Sequence, residues 1–105
     1  YYYEPTLIGN CNDNMKCVND EIFGPIVCLL KFKDENDAIN KTNNSEFGLA
    51  ASIWTQDIKR GHRVANKLDV GLIWLNSHHR NDASSPWGGT KNSGIGRENG
   101  LDAFR

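Results

Sequence analysis

The sequence has no excess of charge of either sign. Its 12 Lys and Arg face 13 Asp and Glu, leaving a net charge of −1. That removes the basic footprint expected of a nucleic-acid or anionic-membrane binder. No apolar run approaches the ~20 residues of a membrane-spanning helix, and no signal-peptide pattern opens the chain. There is no CxxC pair. Cys11, Cys17 and Cys28 are an odd number at uneven spacing, which fits a reducing, cytoplasmic setting better than a disulfide framework. No internal repeat, low-complexity segment or linker divides the 105 residues, so one structural unit is expected. A starting Met is absent too. The chain opens on Tyr1-Tyr2-Tyr3 and stops at Phe104-Arg105, just after an apolar turn begins, and we expect a piece of a longer protein.

The patterning that is present predicts an α/β fold. Tyr1 to Ile8 is aromatic and β-branched around Pro5, which reads as an edge strand or extended segment. Met15 to Ile22 is either one helical turn or an extended approach. Ile26 to Phe32 is nearly continuous in apolar residues, as in strands buried on both faces. Asp34 is placed to cap a helix, with Asp37 three residues on, and Ala38, Ile39 and Thr42 share a face. The helix should fail in Asn43-Asn44-Ser45. Leu49 to Thr55 reads as a second strand, and Asp57 caps a second helix. Ile58, Gly61, Ala65 and Leu68 would face the sheet, Gly61 permitting close approach. Val70 to Leu75 is a third strand. Strand, helix, strand, helix, strand implies a mainly parallel open twisted sheet with crossover helices.

Glycine is concentrated in one place. Gly88, Gly89, Gly94, Gly96 and Gly100 fall within thirteen residues. Such density implies unusual dihedrals or close backbone approach. A connection as long as Asn76 to Gly100 is functional or disordered, and Pro86, Trp87 and Ile95 supply anchors that favour an ordered loop. It is not a phosphate loop. Gly94-Ile95-Gly96-Arg97-Glu98-Asn99 lacks the third glycine of GxGxxG, and GxxxxGK[ST] does not occur. His78 and His79 beside Asp82 lack a third metal ligand at useful spacing, so the three histidines read as surface or pocket-wall residues. Cys28, between Val27 and Leu29, reads as a buried thiol with a raised pKa, and Cys11 and Cys17 flank polar turns without a base. Lys91, Arg97 and Glu98 could form a surface ion pair. Trp87 is a hydrophobic plug, a pocket wall or a face for a cation. Glu21 beside Phe23 is a solvated carboxylate in the plain reading; in the sharper one it accepts hydrogen bonds from sugar hydroxyls beside a ring that packs on a flat heterocycle.

Several spaced motifs carry a resemblance. They are Glu21-Ile22-Phe23-Gly24-Pro25, Phe47-Gly48-Leu49-Ala50-Ala51, Gly71-Leu72-Ile73-Trp74-Leu75-Asn76, and Ser85-Pro86-Trp87-Gly88-Gly89 through Lys91 and Ser93 to Glu98 and Gly100. With Tyr3-Glu4-Pro5-Thr6 before them, they resemble the C-terminal part of the catalytic domain of the aldehyde dehydrogenase superfamily, in unbroken order. The resemblance implies oxidation of an aldehyde to a carboxylic acid with NAD or NADP as cofactor, by way of a cysteine nucleophile and a glutamate base. It assigns Glu21 to the nicotinamide ribose hydroxyls and Phe23 to the nicotinamide. It makes His79, Asn81 and Trp87 substrate-pocket residues, with Asn76 near the pocket base. Trp87 suggests the branches that take cationic aldehydes, although Asn81 is polar where bulky apolar residues are common; a small aromatic or aliphatic aldehyde is the alternative. The nucleophile, the base and the Rossmann cofactor domain are expected upstream, so no catalytic residue is assigned within this chain, nor any metal ligand. A homo-oligomer is expected, with no nucleic-acid or membrane partner. The other reading is a non-catalytic α/β module from a truncated reading frame, whose exposed sheet edge binds a partner or itself.

Overall fold

The computed structural model describes residues 1–104, and the chain divides into two compact units, Tyr1–Lys41 and Thr42–Arg105. In the first, β1 (Thr6–Ile8) pairs in parallel with β2 (Ile26–Cys28), so that Thr6 faces Ile26 and Ile8 faces Cys28. The ladder is extended by main-chain bonds from Thr6 to Pro25 and from Leu29 to Ile8. The ambiguous segment before Glu21 resolves as a short helix, α1 (Lys16–Asn19), without a side-chain N-cap. The strand predicted over 26–32 stops at Cys28 and is not buried on both faces. Val27 is 55% exposed, and Leu29 and Phe32 are exposed as well. Alternating exposure is what a two-stranded ribbon gives when only one face is covered.

α2 (Glu35–Asn43) begins as its sequence dictates. The Asp34 carboxylate accepts from the Asp37 N–H at 2.9 Å, and the Asp37 carboxylate accepts from the Lys33 N–H at 2.9 Å. Two main-chain donors at the helix start are thereby satisfied. Ile39, one of the three residues expected to share a face, is the one buried hydrophobic side chain among the described residues, at 7% exposure.

The second unit holds two ladders. β4 (Ala50–Ile53) pairs in parallel with β5 (Leu72–Leu75), Ser52 facing Trp74 and Ile53 facing Leu75. The crossover between them contains α3 (Ile58–Ala65), whose Arg60 N–H is accepted by Asp57 at 3.1 Å. Gly61 is buried, and a Cβ there would stand 3.3 Å from Leu75 Cδ2, so close helix–strand packing is observed as predicted. Ile58 departs from the predicted inward face and is exposed. It is the first residue of the helix, directly after the Asp57 cap. β3 (Phe47–Gly48) and β6 (Thr90–Lys91) form a short antiparallel pair that the patterning did not reveal, since two residues carry no period. The α/β class with parallel pairing is present. The strands form three two-stranded ladders rather than one sheet, because β2 pairs with β1 and β4 pairs with β5.

Polar clamps join the second unit's connections. The Asn43 side chain donates to the Lys67 carbonyl at 2.8 Å and accepts from the Asp69 N–H at 2.9 Å. Thr90 Oγ1 donates toward the carbonyls of Gly48 and Asp69. Among the described residues no helix is long and apolar enough to cross a membrane. With so little apolar burial, each cap matters. We expect Asp57→Ala to cost about 1 kcal/mol of stability by removing the acceptor for Arg60 N–H, and Asp57→Asn to retain most of it, as read by urea unfolding.

Candidate functional site

β5 ends in a deliberate turn. Asn76 adopts φ +52°, a left-handed conformation that Asn tolerates better than most residues. Its amide side chain accepts from Thr55 N–H at 2.8 Å and donates to the Thr55 carbonyl at 2.9 Å. Asn76 does not line the cleft described below; it forms a two-bond clamp between the ends of β4 and β5. Beyond it the chain returns over the ladder. His78 Nδ1 lies 2.9 Å from Ser52 Oγ in a hydrogen bond, and Trp74 Nε1 donates to the Arg80 carbonyl at 2.8 Å.

The result is an aromatic cleft. Trp74 stands 6.1 Å from Trp87 between ring centroids, 6.1 Å from His79 and 5.6 Å from His78. His79 meets Trp87 edge-on at 6.1 Å. These spacings are normal for attractive aromatic pairs. The rings, together with Leu49, Ala50, Ala51 and Ser52, line a cleft of about 240 Å³. Of the sequence-assigned pocket residues, His79 and Trp87 come together there. Asn81 does not line it. Trp74 and His78 were not assigned, because their place in the cleft depends on the register that sets Ser52 against Trp74.

The glycine-rich loop is ordered by main-chain pairing. Trp87 and Glu98 exchange N–H···O bonds of 2.7 and 2.8 Å. A Cβ on Gly88 would stand 2.5 Å from the Gly96 carbonyl, so the close backbone approach read from the glycine density is present. Arg97 does not pair with Glu98; its guanidinium donates to the carbonyls of Gly89 and Gly96 at 2.8 and 2.7 Å. Lys91 donates to the carbonyls of Asn43 and Ser45 and lies 3.6 Å from the Asp69 carboxylate. For Arg97, main-chain oxygens of the glycine turn take the place of the exposed Glu98 carboxylate, whose pairing would contribute little.

In the first unit, Glu21 is exposed and Phe23 is 96% exposed, presenting a free carboxylate and a free ring face on either side of Ile22. The three thiols, separated by five and ten residues in sequence, converge. Cys11, Cys17 and Cys28 place their sulfurs within 4.8 Å of one another, all half-buried. Cys28 is therefore less buried than predicted. Desolvation, followed by the Cys17 and Cys11 thiols beside it, still pushes its pKa up to about 11. The parallel register explains the meeting: Cys28 sits opposite Ile8, and Cys11 turns back at Asn10, where φ is +55°. Spacing alone could not show it.

The Aldehyde dehydrogenase family's profile matches residues 1–105. The betaine aldehyde dehydrogenase of Brucella anthropi is 46% identical over 104 residues, and the 2-aminomuconic semialdehyde dehydrogenase of Danio rerio is 43% identical over 104. Each alignment covers 99% of this chain and 21% of the relative. Among solved structures, betaine aldehyde dehydrogenase of Staphylococcus aureus in complex with NAD+ superposes with a TM-score of 0.95 at 46% identity, over 98% of this chain and 20% of that one. An NAD+ complex of aldehyde dehydrogenase from Bacillus cereus gives 0.96 at 48% identity, over 99% and 21%. The chain thus spans about a fifth of the length of the proteins it matches.

One group in the loop titrates out of its ordinary range. Ser84 N–H and then Ser84 Oγ–H donate to the Asp82 carboxylate and hold its pKa down. A depressed folded pKa means this contribution is full above the ordinary Asp pKa of about 4 and fades as pH falls through the lowered value. Amide exchange at Ser84 and Ser85, corrected for intrinsic rates, should be flat from neutral pH to about 5 and rise below about 4. Asp82→Ala should show the faster exchange already at neutral pH.

Proposed function

The chain belongs to the aldehyde dehydrogenase family, and on that premise we propose that it is the C-terminal part of the catalytic domain of an NAD(P)-dependent enzyme that oxidises an aldehyde to a carboxylic acid. The observation that carries the reading is the aromatic cleft of Trp74, His78, His79 and Trp87 on a scaffold matching NAD+-bound relatives at a TM-score of 0.95. In this reading residues 1–105 form a continuous stretch of one catalytic domain.

Glu21 and Phe23 fit the cofactor's chemistry. An exposed carboxylate can accept from both hydroxyls of a ribose, and an exposed ring offers a flat face to a heterocycle. NAD(P)+, when bound, takes up the hydride that the aldehyde loses; water supplies the second oxygen of the acid, and a proton is released. This chain's residues bind and orient. Glu21 holds the ribose, and Phe23 holds the nicotinamide ring. Trp87 and His79 form the wall against the substrate's side chain; Asn81 does not line the cleft and is not given a role in it. Reactive thiolate and base belong to other parts of the enzyme, as the family resemblance implies.

The cleft favours a cationic aldehyde. Two indoles 6.1 Å apart offer π-faces, and none of the lining residues is acidic or basic apart from the two imidazoles. Betaine aldehyde dehydrogenases among the relatives agree with this choice. Three free thiols among the described residues suit a cytoplasmic location, and the exposed apolar side chains suit a homo-oligomer.

Two substitutions in the full-length enzyme separate the roles. Glu21→Ala should raise KM for the nicotinamide cofactor by roughly tenfold or more, the value of a charge-assisted hydrogen bond, and leave KM for the aldehyde unchanged. Trp87→Ala should raise KM for cationic aldehydes by about 2- to 30-fold, and by less for neutral aldehydes of the same size. Equal effects on both aldehyde classes would remove the cation from the reading. The 105 residues alone should form no NADH with a panel of aldehydes, and NADH formation by them would overturn the division of labour.

A further inference from the structure

The three-thiol cluster lies in the first unit and has no part in the proposed oxidation. Cys11 follows the end of β1, Cys17 sits in α1, and Cys28 ends β2. Cys11 Sγ–H donates to the Ile8 carbonyl at 3.2 Å, and Cys28 Sγ–H donates to the Cys17 carbonyl at 3.1 Å. The sulfurs lie within 4.8 Å of one another, and among the described residues no other set of three His, Cys, Asp or Glu gathers in this way.

We propose that Cys11, Cys17 and Cys28 form a three-thiolate site for a thiophilic divalent cation of the zinc class. Zinc–thiolate bonds of about 2.3 Å place three sulfurs roughly 3.8–4.0 Å apart around one ion. Even if all three separations were at the 4.8 Å limit, each sulfur would need to move inward by only about half an ångström to reach that distance. Such a shift is within ordinary side-chain adjustment. The donor set is all sulfur, which selects zinc, cadmium or cobalt over magnesium or calcium. Binding replaces three S–H bonds by three S–metal bonds and releases three protons to solvent; no oxidant is required. A water molecule completes a tetrahedral shell. A disulfide would use two of the sulfurs and leave the third without a role, whereas one ion uses all three. The two parallel strands fix Cys28 against Ile8, and the turn at Asn10 brings Cys11 back to the same end of the ladder.

The test uses the full-length polypeptide that carries this sequence, reduced and stripped of metal. Titration with zinc alone should show one more bound equivalent than the Cys11→Ser/Cys17→Ser/Cys28→Ser variant. Cobalt should give a thiolate-to-metal charge-transfer band that this variant loses. Each single Ser substitution should weaken zinc binding at least tenfold, and the corresponding Ala substitutions should do the same. Zinc should also protect Cys11, Cys17 and Cys28 from iodoacetamide in peptide mass maps of the unmodified protein, a readout independent of how any variant folds. Unchanged labelling in the presence of zinc would overturn the proposal. A disulfide within the trio that forms equally fast with zinc present would overturn it as well.

Discussion

The parallel register between β4 and β5 is the constraint on which the cleft depends. It sets Ser52 against Trp74 and Ile53 against Leu75, and the next main-chain bond, from Asn76 N–H to the Ile53 carbonyl at 2.8 Å, closes the ladder. A slip of one residue would send Trp74 to the opposite face. Asn76 guards against that slip by binding both the N–H and the carbonyl of Thr55. Its left-handed backbone then turns the chain, and His78 and His79 come back over Ser52 and Trp74. One residue, Asn76, therefore secures the strand ends through its amide and redirects the loop through its backbone.

The far wall is held differently. Trp87 is fixed through its own main chain to Glu98, while Arg97 binds the carbonyls of Gly89 and Gly96. The glycines permit this because their missing Cβ atoms let two backbone segments touch, as Gly88 and the Gly96 carbonyl do. A guanidinium supplies the donors that a glycine turn cannot provide for itself. This arrangement gives the half-buried indole a defined position through main-chain bonds.

Legibility followed the length scale of the signal. Caps at Asp34 and Asp57, the close approach at Gly61 and the parallel pairing each rest on a local pattern of residues, and each is present. The β3–β6 pair, the placement of Trp74 and His78 in the cleft, and the meeting of three cysteines depend on register between distant segments. No periodicity encodes that. The overestimate of β2 has another origin. A run such as Ile26 to Phe32 states that a strand will be buried, but not by which polypeptide, and Val27, Leu29 and Phe32 remain exposed here.

That exposure can be put on a scale. The surface of the described chain is 8415 Å², whereas a compact protein of 11.8 kDa exposes about 5,900 Å². Treating the two units as separately compact bodies raises the expectation only to about 7,000 Å². An excess of over ~1,000 Å² remains under either assumption, comparable to a specific protein interface. Its residues include Phe23, Val27, Phe32, Trp54 and Ile95, side chains whose burial stabilises by about 1.5–3 kcal/mol each. These side chains are patterned for burial yet uncovered among the described residues, in a chain that spans about a fifth of the length of the proteins it matches. Phe23 stands apart within this set: it adjoins a free carboxylate, so a ligand that is flat at one end and hydroxylated at the other could cover it as well as protein could.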